Sequence, residues 1–258
     1  MKMADMHIHS TFSPDGVSSM EEQCRQAVKQ GVSIICFTDH VDFNAVELNM
    51  GRIKDNRKQN FKIDEYLSEI ERMRFLFPEL EILSGVEFSE PHLFRDEFER
   101  YTKLPFDYIL ASIHHCKNGV FPGAINLSES QAVLEYYDFM LGSLERCEFQ
   151  GIAHMDFPRL FFDNWNIDEK ILCRILQLII SKNIALEINT SSMNENCYDP
   201  MPSVRILKKY MDMGGTRIVL GSDAHNSKRI AYGFNSIIAK WHKSLDIGYI
   251  KGREFYSL

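Results

Sequence analysis

The side chains able to do chemistry recur at one kind of position, at or just beyond the end of a short apolar run. His7-Ile-His9 closes the run Ala4–Ile8, with Asp15 further on, and Asp39-His40 follows Ser33–Thr38. Glu87 follows Ile82–Val86, and His114-His115 follows Tyr108–Ile113. His154 and Asp156 follow Gly151–Ala153, Asn189 follows Ala185–Ile188, and Ser222-Asp223-Ala224-His225 follows Ile218–Leu220. Six of these seven runs end in a side chain that can bind metal, and they take up seven of the nine histidines. Residues i and i+2 of a strand point the same way, so His7 and His9 can grip one ion together. Mixed histidine and carboxylate ligands suit zinc, manganese or iron better than magnesium alone. A carboxylate such as Glu87 can bridge two ions, whose shared hydroxide would be a nucleophile while the ions stabilise developing oxyanion charge. That chemistry is hydrolysis.

The apolar runs read as strands of the buried parallel type, and amphipathic stretches between them read as helices. Ser18 or Ser19 can cap a helix reaching about Gln30, with Glu21 or Glu22 placed for a capping box and Gly31 ending it. Further helices are expected over Asp64–Phe77, Ser128–Cys147, Asp168–Ser181 and Pro202–Met213. The rhythm is βαβα, and in a parallel barrel all strand C-termini share one face, which would gather the side chains above. Two stretches break the rhythm: Asp42–Asn60 is polar and irregular, and Cys116–Asn126 is rich in glycine and proline. Both follow strands and would lie as loops over the catalytic face. No repeat or linker stands out, so residues 1–258 read as a single domain.

Composition narrows the function classes. The 258 residues include 29 basic and 36 acidic ones, a net charge of −7, which argues against a nucleic-acid surface. An anionic substrate stays possible, because divalent ions reverse the local sign of a site. The longest greasy segment, Ile171–Ile180, is far short of the roughly 20 apolar residues of a membrane span. Six cysteines without CxxC pairing and no secretory leader point to a reducing cytoplasm. Oligomeric state is not legible.

Other candidates carry less. His92 and His242 sit in helix-like or polar contexts and read as surface residues. Arg159 is close in sequence to His154 and could fork a phosphate, or simply face solvent. Lys228 and Arg229 could add positive charge near His225. Cys116 beside His115 lacks an orienting third group, which argues against cysteine catalysis.

The fragments DMHIHSTFSPDG, FTDHVDF, SGVEF, ASIHH, IAHMDF, EINTSS and GSDAH, in this order, resemble the PHP (polymerase and histidinol phosphatase) superfamily and its histidinol-phosphate phosphatase branch. The resemblance implies an α/β fold, a distorted (β/α)7 TIM-like barrel, with three divalent ions. Carried over by motif, His7, His9, Glu87 and Asp223 would form the first site. Glu87 would bridge to a second ion with His114 and His154, and Asp15, His40 and His225 would hold the third. The family pattern favours His114 over His115, since Ser112 precedes it by two; His115 would then face the substrate. Glu87, Asp223 and His225 would take the catalytic roles. The implied reaction is hydrolysis of L-histidinol phosphate to L-histidinol and phosphate, a step of histidine biosynthesis, by metal-activated hydroxide without a phosphoenzyme. Arg159 and His115 would assist phosphate and substrate binding, and Asp42, Phe43, Phe161 and Glu90 are candidates for the imidazole and amine ends. The rivals are a phosphodiesterase or nucleotidase of the same superfamily, acting on small nucleotides, and a non-catalytic metal-binding protein.

Overall fold

The structure is a computed structural model that describes residues 2–48, 52–115, 128–194 and 199–258. The strands are β1 (Ala4–Ile8), β2 (Ile34–Phe37), β3 (Glu81–Ser89), β4 (Tyr108–Ser112), β5 (Gly151–Ile152), β6 (Ala185–Asn189), β7 (Arg217–Gly221), β8 (Asp246–Lys251) and β9 (Glu254–Ser257). The helices are α1 (Met20–Lys29), α2 (Ile63–Leu76), α3 (Arg95–Tyr101), α4 (Glu129–Arg146), α5 (Glu169–Ser181), α6 (Val204–Asp212) and α7 (Phe234–Trp241). Strands β1 to β8 pair in chain order, each parallel to the next, and β9 returns antiparallel to β8.

Local sequence explains the helix boundaries. Ser19 and Glu22 cap each other's backbone N–H at the start of α1, and Ser128 and Gln131 do the same at α4. Asp168 accepts the Lys170 and Ile171 N–H groups at the start of α5. Each such cap is worth about 1 kcal/mol. Helix α5 then buries Leu172, Ile175, Leu176 and Ile179, a stripe at helical spacing. Full burial of each such side chain contributes roughly 1.5–3 kcal/mol.

The strands alternate between two cores. Ala4, Met6, Ile34, Cys36, Leu83, Tyr108, Leu110, Ala153, Ala185, Val219 and Ile250 pack inside the barrel. Their neighbours Ile35, Phe37, Ile82, Ile109, Ile152, Leu186 and Leu220 pack outward with the helices. Following the inward parity upward leads from Leu83 to Glu87, from Leu110 to His114, from Ala185 to Glu187 and from Val219 to Asp223. Parity breaks just beyond β5, where Ala153 and the next residue His154 both turn inward, and within β1. Ala4 and Met6 are inside, yet Ile8 joins the outer core. The β1–β2 register shifts between Asp5 and Ile8, and an irregularity of this kind switches the face to which later side chains point. His7 and His9 thereby turn inward.

The barrel closes unevenly. The lower part of β7 pairs with β8 through Arg217, Ile218 and Val219. The chain just beyond β7 meets β1 at an isolated parallel bridge between Ile8 and Ala224. Asp223 N–H donates to His7 O at 2.8 Å and His9 N–H to Ala224 O at 3.2 Å. The Gln23 amide of α1 donates to His9 O at 2.7 Å and Ala224 O at 2.8 Å, stitching the two ends together. This seam is the distortion of the (β/α)7 barrel.

Several expectations need correction. The seven strands are present, but α3, α7, β8 and β9 were not expected. Their segments are short, or mix charged and apolar residues without clear alternation. The stretch Asp42–Asn60 is not wholly irregular: Ala45–Leu48 pairs antiparallel with Arg52–Asp55, and Asn56–Gln59 is a 3₁₀ turn. The Cys116–Asn126 loop lies outside the described residues. Cys24, Cys36, Cys147 and Cys173 are free thiols. No helix among the described residues is long and apolar enough to cross a membrane.

His242 is exposed, as expected, but His92 is only 9% exposed, with its Nδ1 2.8 Å from Ser143 Oγ and its ring against Phe139. Burial pushes the His92 imidazole down to about 4. An unfolded histidine titrates near 6.5. The unfolded chain therefore takes up the proton first, and the stability contributed by neutral His92 is lost as pH falls from about 6.5 towards about 4. The urea midpoint difference between wild type and His92→Asn is expected to shrink from pH 7.5 to pH 5. A difference independent of pH over that range contradicts this account.

Candidate metal centre

All nine expected ligands converge at the C-terminal end of the barrel. Seven of them line a cavity of about 680 Å³, bounded by Pro14, Asp15, His40, Asp42, Gln59, Glu87, His114, His115, His154, Phe157, Asp223 and His225, and His7 and His9 are buried beneath it. Glu87 stands at the middle, fully buried on β3. Its Oε2 lies 3.4 Å from His7 Nε2, 3.5 Å from His9 Nε2 and 2.8 Å from His40 Nδ1. Its Oε1 lies 3.0 Å from His154 Nε2 and 3.2 Å from His114 Nε2. The one carboxylate thus faces five imidazoles.

Three groups of donor atoms can be read. His7 Nε2, His9 Nε2, Glu87 Oε2 and Asp223 Oδ1 lie 3.0–3.6 Å apart in the contacts that join them. Glu87 Oε1, His114 Nε2 and His154 Nε2 lie 3.0–3.2 Å apart. Asp15, His40 Nε2 and His225 Nε2 lie 3.2–3.5 Å apart. A tetrahedral ion with ligands at 2.0–2.1 Å spaces them about 3.3 Å apart, so each group has the right spread.

Hydrogen bonding gives an independent test of fit. Ser13 Oγ donates its single proton to Asp39 Oδ1 at 2.7 Å, so at 3.0 Å it must accept from His9 Nδ1. His7 Nδ1 lies 2.6 Å from Glu187 Oε1, which can only accept. With both rings neutral, both Nε2 atoms carry bare lone pairs, yet they face each other at 3.0 Å and also face Asp223 and Glu87. Acceptors meeting without a donor need a cation among them. Glu87 Oε2 is likewise buried, with His40 Nδ1 at 2.8 Å but no well-aligned hydrogen bond. The residues fit divalent metal.

The titration behaviour has the same origin. Burial alone would raise Glu87, but His114, His7 and His40 hold its carboxyl well below the usual range. Burial would raise Asp223 too, and His7, His9 and His225 outweigh it, leaving it well below the ordinary value. Asp15 is lowered against partial burial by bonds to His225 and His40. Burial is overcome in the opposite sense at His7, raised by Glu187, Asp223 and Glu87, and at His40, raised by Glu87 and Asp15. His9 is instead pushed well down, by burial and by its neighbours His225 and His40.

The loops that carry these groups are pinned. Val17 N–H donates to His225 O at 2.8 Å, tying the Asp15 loop to the His225 segment. A Cβ on Gly16 would collide with Ser10 O, so this turn requires glycine. Ser10 N–H and Oγ both donate to Asp39, at 2.7 and 2.9 Å. Asp39 therefore braces the site and is not among its ligands.

The expected substrate residues divide. Asp42 and His115 line the cavity, and one ligand atom from each lies within 4.8 Å of the buried Glu90 carboxylate and of the other. Glu90 accepts the His115 N–H at 2.8 Å, and His115 Nδ1 is 3.1 Å from it. Phe43 does not line the cavity: it packs on Phe88, Phe94 and Tyr101 at the edge of the core. Arg159 is also absent from the lining. Its guanidinium donates to Asp199 Oδ2, Asp199 O, Pro200 O and Ser192 Oγ at 2.7–3.1 Å, which engages the fork within the protein. Arg229 similarly donates to Thr190, Ser191 and Met193 carbonyls and stacks on Tyr232. Lys228 does not line the cavity. Phe161 is 42% exposed and packs on Phe157. Glu187 and Phe157 were not among the expected site residues, and Asp39 was expected only as a strand-end group without a bracing role. A carboxylate inside the apolar strand Ala185–Ile188 was the available signal for Glu187.

Comparison with known proteins agrees with this geometry. Residues 5–191 match the PHP domain. The chain belongs to the PHP domain family. A probable histidinol-phosphatase of Thermotoga maritima is 28% identical over 242 residues, covering 93% of this chain and 92% of that protein. A histidinol-phosphatase of Lactococcus lactis is 28% identical over 242 residues, covering 89% of this chain and 86% of that one. A crystal structure of histidinol phosphate phosphatase from L. lactis, in complex with zinc, L-histidinol and phosphate, superposes with a TM-score of 0.84 at 25% identity and covers 99% of both chains.

The shared carboxylate sets an expectation for metal content. Elemental analysis after dialysis should show that Glu87→Gln loses metal from both groups that contain it, whereas Asp15→Ala loses only the ion of its own trio. Equal losses in the two variants contradict the sharing.

Proposed function

We propose that the protein is a metal-dependent phosphomonoesterase that hydrolyses L-histidinol phosphate to L-histidinol and phosphate, with residues 1–258 acting as one PHP-type unit. The observation that carries the reading is the sign of the cavity. Its described lining contains the carboxylates Asp15, Asp42, Glu87 and Asp223, several histidines, and neither lysine nor arginine. A phosphate dianion is accepted there only if bound cations reverse that sign.

His7, His9, Glu87 and Asp223 would hold one ion, Glu87, His114 and His154 a second, and Asp15, His40 and His225 a third. Zinc, manganese and iron all suit these ligands. Such ions supply positive charge to phosphoryl oxygens and acidify a coordinated water. The chain's own groups do the rest. Glu87, Asp223 and His225 fix the geometry of the catalytic end. Pro14 and Phe157 give the cavity apolar wall that limits water around the ester. Asp42, backed by Glu90 and His115, offers the negative charge suited to the ammonium or imidazolium end of the substrate. The near full-length likeness to proteins named histidinol-phosphatase supports the choice of ester.

Phosphate release from L-histidinol phosphate is expected with added manganese or zinc and lost with chelator. His9→Ala and Glu87→Ala should fall to background while remaining folded. Turnover of small phosphodiesters or nucleotides with none on histidinol phosphate contradicts the proposal in favour of the nucleotidase reading. Asp42→Asn should raise KM for L-histidinol phosphate on the order of tenfold or more, since a charge-assisted hydrogen bond is worth about 1.5–3 kcal/mol. The same variant should leave KM unchanged for an ester without a cationic group, such as p-nitrophenyl phosphate. An equal rise for both esters contradicts the role of Asp42.

A further inference from the structure

We propose that Glu187 is a positioning residue that readies one ligand of each of two ion sites at once, the imidazole of His7 and the backbone of His154; this rests on the metal-centre reading above. Glu187 lies on β6, fully buried, one inward position below Asn189. Its Oε1 is 2.6 Å from His7 Nδ1. Its Oε2 accepts the His154 N–H at 2.7 Å and the Asn189 amide at 3.1 Å.

A carboxylate has no proton to give, so His7 carries a proton on Nδ1, and when the ring is neutral its Nε2 is left bare for an ion. That bare nitrogen is the one aimed at His9, Glu87 and Asp223. The second oxygen acts on main chain. His154 adopts φ +25°, a conformation that a non-glycine residue holds only when its surroundings impose it. The bond from its N–H to Glu187 fixes that turn, and the His154 ring then reaches Glu87 Oε1 at 3.0 Å. Asn189 extends the bracing, because its amide also donates to Asp223 Oδ2 at 3.2 Å.

The fold reserves room for this carboxylate. A Cβ on Gly221 of β7 would collide with Glu187 Oε1 and come within 2.7 Å of His7 Cβ. Only glycine leaves both groups where they are. Partners that orient a ligating histidine commonly change metal affinity 10- to 100-fold when replaced.

Glutamine at this position separates the two roles of bracing and proton placement. If its oxygen faces the His154 N–H, its amide faces His7 Nδ1, which must then accept and carry its proton on Nε2. If the amide is reversed, its N–H groups oppose the His154 N–H. Either arrangement spoils one ligand while preserving shape. Zinc binding to chelator-stripped protein, measured by calorimetry, is expected to weaken about 10- to 100-fold in Glu187→Gln. Histidine ¹⁵N NMR of zinc-loaded wild type should show His7 protonated at Nδ1 and bound through Nε2. Unchanged zinc affinity in a folded Glu187→Gln overturns the proposal, and so does a wild-type His7 protonated at Nε2. If Glu187→Gln fails to fold, the wild-type spectrum decides alone. Wild type that binds no zinc would instead overturn the metal-centre reading, a result distinct from either of these.

Discussion

The structure depends on the burial of Glu87. A carboxylate removed from water is costly unless compensated, and here the compensation consists of imidazoles and no lysine or arginine. Imidazoles can play that part in two ways. They can take up protons, which is the direction in which His7, His40 and His114 are raised. Alternatively, they can stay neutral and share cations with the carboxylate. The second arrangement also relieves the facing lone pairs of His7 and His9, which protonation at one ring would relieve only in part.

The scaffold is arranged around that constraint. Inward parity carries β3, β4, β6 and β7 from apolar side chains at the bottom to ligands and bracing carboxylates at the top. The irregularity in β1 turns His7 and His9 into the same space. The seam at Ile8 and Ala224 then sets Asp223 and His225 beside them. Both irregularities of the barrel, in the β1–β2 register and at the closing seam, therefore serve the assembly of the site. A regular β1–β2 register would leave β1 parity unbroken and put its histidines on the wrong face.

The candidate ligands were legible in the sequence because they obey a simple rule: a polar side chain at the end of a buried parallel strand has one face on which to sit. His7, His9, His40, Glu87, His154 and Asp223 follow from it directly, whereas the preference for His114 came from family resemblance. The bracing residues were less legible. Glu187 and Asp39 act through hydrogen bonds to groups distant in sequence, such as His7 and Ser13, and spacing carries no trace of such partners. Arg159 shows the reverse failure. Its nearness to His154 in sequence suggested phosphate, but a cluster of acceptors from Ser192, Asp199 and Pro200 captures its guanidinium. Phe43 next to Asp42 was likewise drawn into an aromatic cluster. His92 was misread because a histidine in a short polar segment looks exposed until α4 packs over it.

In the function proposed above, Glu87 would be shared by two divalent ions, one on each oxygen. Anomalous diffraction at the zinc edge, from crystals grown with zinc, tests it most directly. One peak is expected among His7, His9, Asp223 and Glu87 Oε2 and another among His114, His154 and Glu87 Oε1. A map with no peak at either place, or with a single peak bound by one oxygen of Glu87, would contradict it.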